Sequence, residues 1–170
     1  LYLQRASAEG RKHFRQLCRR LHDAGFIVKS VEAMPDFDKI YERHNLIVAA
    51  EAARFHADWF AAYGEKYHPK TAELIQRGQK VTDQQLKRAV AGRAALRESL
   101  MQLMDKNALD LWLSPPAPGA APAGLDSTGD PVMNLPWTHA GLPPLALPAG
   151  KNKVGLPLGL QLTGRWFGDE

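Results

Sequence analysis

Residues 134–164 read NLPWTHAGLPPLALPAGKNKVGLPLGLQLTG, and the fold turns on them. Two apolar runs, 145–148 and 158–164, carry strand character and are bounded by Gly and Pro. The stretch 149–157 between them links the runs most simply as an antiparallel hairpin. Along the second run Leu158, Leu160 and Leu162 point one way, while Gly159, Gln161 and Thr163 point the other, because side chains alternate along a strand.

Working upstream, LDLWLS at 109–114 reads as a further short strand with Leu109, Leu111 and Leu113 on one face. PPAPGAAPAGLDSTGD at 115–130 cannot be regular helix, since proline removes donors and fixes φ. It is either a free linker or an irregular loop packed over the body. Before it lie helices. Residues 8–24 place Phe14, Leu17, Cys18 and Leu21 on one face, with Gly25 as the stop. FIVKSVEAMP at 26–35 then reads as a strand ended by Pro35. A helix over 37–63 is expected from the spacing of Tyr41, Val48, Ala52, Phe55 and Trp59, and Gly64 closes it. A short helix at 70–77 ends before Gly78. Thr82 and Gln85 form a capping-box pattern that starts a helix running to about 107. Its buried stripe is Leu86, Val90, Leu96, Leu100, Leu103 and Met104.

The expected architecture is therefore α/β, with helices layered on a mixed β-sheet. The unit spans 1–170, mainly helical with one strand through 107, then Pro/Gly-rich loops and strands over 108–170.

Asn134, Gly141, Pro143, Pro148, Gly150, Gly155, Leu156, Pro157, Gly159, Leu160 and Gln161 resemble, in register, the C-terminal motif of the amidase signature family. The strand and Pro-rich loop before them are similar to that family too, although Pro116 stands where Thr is common. The resemblance implies the C-terminal, incomplete part of the amidase fold. It also implies a parent more than twice this length, cut at both ends here. Nearly all the motif residues have scaffold roles, Gly for close approach and Pro for pinned loop ends.

In the family, a Ser attacks a carboxamide carbonyl and a second Ser relays its proton to a Lys. Backbone donors in a Gly-Ser-rich segment stabilise the oxyanion. That segment has no counterpart here. Ser7, Ser30, Ser99, Ser114 and Ser127 lack flanking glycine and are not paired with one another. The resemblance thus places the catalytic residues outside this chain, and the chain alone is expected to be inactive. Trp137 and His139, between Asn134 and Gly141, are the candidate substrate-binding residues, because the family's loops there can line the pocket.

Other chemistry is weakly encoded. One cysteine, Cys18, precludes an internal disulfide and suits a cytoplasmic location. On an apolar helix face near His22 it reads as a small buried hydrophobe rather than a nucleophile. His13, His22, His44, His56, His68 and His139 lack the spacing of a zinc site, so neither metal nor cofactor is expected. The net charge of +4 sits within residues 1–35, where seven bases face three acids. A solvated helix face accounts for it without nucleic acid or membrane. The expected partners are the catalytic portion of the same protein and a small amide. An open sheet edge would also favour self-association. Two other readings stay open: a non-catalytic interaction module on the same scaffold, and the glutaminase subunit of an amidotransferase.

Overall fold

A computed structural model describes residues 1–168. Helix α1 (Ala8–Asp23) starts where the Ser7 hydroxyl accepts the Gly10 N–H at 3.0 Å. It stops as expected at Gly25, whose φ is +93°. Its apolar face, Phe14 and Leu17 with half-buried Cys18, packs on Leu160 of the sheet.

The strand expected at 26–35 is not formed. Phe26 and Ile27 are 62% and 87% exposed, and no described strand lies alongside. β character in a sequence becomes a strand only against a partner edge, so α1 packs instead on a strand distant in sequence.

The single helix expected over 37–63 is two, α2 (Phe37–Phe55) and α3 (Ala57–Tyr63), divided at His56. There the His56 imidazole Nδ1 lies 2.9 Å from the Tyr67 hydroxyl. The expected stripe also faces the wrong way. Phe55 and Trp59 are 74% and 57% exposed, whereas Phe37, Ile40, Ile47 and Ala50 form the buried face. Both sets share helical spacing, and only the neighbouring helices choose between them.

Helix α4 (Pro69–Gln79) runs past its expected end through Gly78, which lies against the Ala49 carbonyl of α2. Helix α5 (Asp83–Asn107) has the full capping box: Thr82 Oγ1 accepts from Gln85 N at 3.2 Å, and Gln85 Oε1 accepts from Thr82 N at 2.9 Å. Leu96, Leu100 and Met104 are buried as expected, but Ala89 takes the buried place expected for Val90. Thr82→Ala is expected to lower stability by about 1 kcal/mol, the usual effect of losing a cap. A urea midpoint equal to wild type would contradict it.

Among the described residues three strands complete the fold: β1 (Trp112–Ser114), β2 (Pro144–Lys151) and β3 (Pro157–Thr163). They lie in the order β1-β3-β2, with both pairings antiparallel. The expected hairpin is present as β2–β3, with a shorter loop than 149–157. Asn152 organises the loop by accepting from Val154 N and Leu156 N at 3.1 and 2.9 Å. In β1, Trp112 and Ser114 are the buried residues, so the face that Leu111 and Leu113 share is the less buried one, with Leu111 exposed. The inner face is set by the partner, since Trp112 stands opposite Thr163 and Ser114 opposite Gln161. Both faces of β3 are covered, so Gln161 and Thr163 are as buried as Leu158 and Leu160.

The Pro-rich loop divides the two readings of its composition. Pro118 accepts the Ser7 N–H at 2.7 Å and Pro115 is buried, while 121–131 are exposed throughout. The main core joins Tyr2, Phe37, Ile40, Leu100, Met104, Met133 and Trp137.

Candidate functional site

The segment Asn134–Gly141 is a helix and not the loop that its Pro and Gly suggested. In α6 (Leu135–Ala140) Pro136 stands in the first turn, where its missing N–H leaves no helical bond unmade. Gly141 closes the turn at φ +73°.

Trp137 is 2% exposed. Its indole N–H donates to the Tyr2 hydroxyl at 3.0 Å, and that hydroxyl donates to the Met133 carbonyl at 2.7 Å. The Trp137 ring meets Tyr2 edge-on at 5.9 Å and lies 6.2 Å from Trp112. Burial pushes the Tyr2 phenol up to about 12, against the opposing pull of hydrogen bonding with Ser114 and Trp137. Ser114 in turn accepts from the Gln161 amide at 3.1 Å. Two buried polar groupings result, Gln161–Ser114 between β3 and β1, and Trp137–Tyr2–Met133 at α6.

His139 takes another side of α6. It is 1% exposed, and its ring packs edge-to-face on His44 of α2 at 5.6 Å. Its carbonyl accepts from Arg93 Nε of α5 at 3.1 Å. Neither ring nitrogen has a hydrogen-bond partner among the described residues. Burial, then His44, Arg43 and Arg93, push the imidazole down to about 4, so it is neutral at pH 7. His44 is lowered as well, chiefly by burial and then by Arg93.

The two candidates therefore share one short helix but not one cavity. Both are buried among the chain's own side chains. Sequence reading missed their partners, Tyr2, Ser114, His44 and Arg93. The Tyr2–Trp137 bond spans 135 residues, and no local pattern announces such a pairing. Gln161 was visible only as a scaffold position. Cys18 is half-buried with its thiol pushed up by burial, which makes it a poor nucleophile. Among the described residues no cluster of three or more His, Cys, Asp or Glu could hold a metal ion. No helix among them is long and apolar enough to cross a membrane.

Helices packed on an antiparallel hairpin of this Gly/Pro pattern, joined to α6, define the amidase-signature class of fold. The family model described as Amidase matches residues 2–170, and the chain belongs to that family. A crystallised amidase superimposes with a TM-score of 0.87 at 30% identity, covering 99% of this chain and 41% of that one. Fatty acid amide hydrolase shares the fold at TM-score 0.78 and 17% identity, over 96% of this chain and 35% of its own. Among curated relatives, a glutamyl-tRNA(Gln) amidotransferase subunit from Granulibacter bethesdensis is 44% identical over 69 residues, 36% of this chain and 14% of that protein. Its counterpart in Gluconobacter oxydans is 34% identical over 90 residues, 49% of this chain and 18% of that protein. The chain thus spans well under half of the solved amidase, and less of the curated relatives.

Proposed function

We propose that this chain is the C-terminal portion of an amidohydrolase that cleaves a carboxamide C–N bond. The observation that carries the reading is the amidase match along residues 2–170. A Ser-Ser-Lys triad in the N-terminal portion of the same protein supplies the nucleophile and the proton relay. The present portion completes the scaffold, and Trp137 and His139, buried beneath its surface, back the wall that a small amide substrate meets. The enzyme works in the cytoplasm, where the lone Cys18 stays reduced.

The test is ammonia or amine release from a panel of carboxamides. The full natural protein is expected to turn over at least one of them, and the 170-residue chain alone none. Hydrolysis by the chain alone above blank would refute the external nucleophile. A full natural protein inert on every carboxamide would instead favour a non-catalytic module on the same scaffold.

The names of the curated relatives favour a second reading, the glutaminase subunit of an amidotransferase. It differs in its substrate, glutamine, and in a stable partner that receives the ammonia. Co-purification of that partner with glutamine-dependent ammonia release would select it.

A further inference from the structure

His139 carries an anomaly that a place beside the substrate wall does not explain. A buried polar group normally finds a hydrogen-bond partner, and each exception calls for a physical account. Here, among the described residues, none bonds either ring nitrogen, at a residue 1% exposed. The charged groups that bear directly on it are cationic or imidazole. From α2 come Arg43 and His44, and from α5 comes Arg93, which also grips the His139 carbonyl. Arg43 has a buried Nε of its own without a partner. Two acids lie nearby: Asp36 pairs with Arg43 at 2.9 Å, and Glu51 acts on His44, while neither is among the charges that bear on His139.

A neutral imidazole is tolerable in such a place, because no charge is desolvated. An imidazolium is not. It would lose its hydration and face two guanidinium groups with no carboxylate to compensate. The short helix that carries it is held on its other side by Trp137. We infer that His139 is an acid-sensitive latch, whose protonation drives α6 from its place between α2 and α5. The inference goes beyond amide hydrolysis and stands whether or not the chain is catalytic.

The sign follows from linkage. The folded imidazole is held at about 4, against an ordinary value of 6.5. Below pH 6.5 the released state binds the proton more readily. The latch is therefore fully closed above pH 6.5, loosens as pH falls toward 4, and loosens no further below that. The released population at pH 4.5 should exceed that at pH 7 by a factor on the order of 50.

Hydrogen exchange at the amides of 135–142 reads this directly, in the full natural chain, after correction for the intrinsic pH dependence. Protection there is expected to fall on the order of 50-fold between pH 7 and pH 4.5 in wild type. In His139→Gln, whose side chain cannot take up a proton, it is expected to stay level. Flat protection in wild type, or an equal fall in the variant, overturns the latch. Should the variant fail to fold, an NMR titration of wild type decides. A His139 ring still neutral at pH 5 supports the proposal, and one that titrates near 6.5 refutes it.

Discussion

Trp137→Ala is expected to destabilise the protein by about 3–5 kcal/mol, the usual effect of emptying a buried aromatic site. Folded domains are stable by only about 5–15 kcal/mol, so the variant should be near its limit at ambient temperature. The cause is specific. The indole fills the space between Tyr2 and Trp112, and its N–H is donated to the Tyr2 hydroxyl. Alanine leaves a cavity on three elements at once and removes that donor. Trp137→Phe keeps most of the volume and loses mainly the hydrogen bond, so about 1–2 kcal/mol is expected. Urea unfolding of the two variants separates packing from hydrogen bonding. Equal midpoints for both would mean that cavity formation is not the main cost.

Gly78→Ala gives the second large effect, and two rules disagree on its sign. Helix propensity favours alanine over glycine by about 1 kcal/mol. Packing opposes it, because a Cβ at Gly78 would overlap the carbonyl of Ala49 and crowd the Ala53 methyl. The obstructing atoms belong to the backbone of α2, which cannot rotate aside as a flexible side chain would. Separating α2 from α4 is the remaining relief, and overpacking of this kind costs about 1–3 kcal/mol, occasionally more. Overlap with a backbone carbonyl puts the packing cost at the top of that range, so packing wins, for a net loss of about 2 kcal/mol. A higher melting temperature in the alanine variant would show that the two helices separate freely.

How much was legible depended on how far apart the interacting residues lie. The capping box of Thr82 and Gln85 was readable because both partners sit within one turn, and the bonds form as expected. The β2–β3 hairpin was readable for the same reason, although Asn152 tightens its loop beyond what composition suggested. Orientation was not readable. Tyr41, Val48, Phe55 and Trp59 keep helical spacing yet face outward, because α4, α5 and α6 meet the other side of α2. Residues 26–31 have strand composition and no strand beside them. At the candidate site, the Asn134–Gly141 segment and its two candidate side chains could be named from sequence. Their helical setting, the Tyr2 anchor and the basic surroundings of His139 could not.

The amino-acid sequence by itself therefore determined the family, the bounds of α1 and α5, the hairpin, and the absence from this chain of a Gly-flanked serine pair. These follow from residue type and from spacings of a few residues, where local backbone chemistry decides. The tertiary structure alone decided which faces are buried, which strand α1 covers, and why Trp137 and His139 sit in such different surroundings. Those outcomes depend on contacts between residues far apart in the chain, and burial is a property of the assembled neighbours rather than of the residue that they enclose.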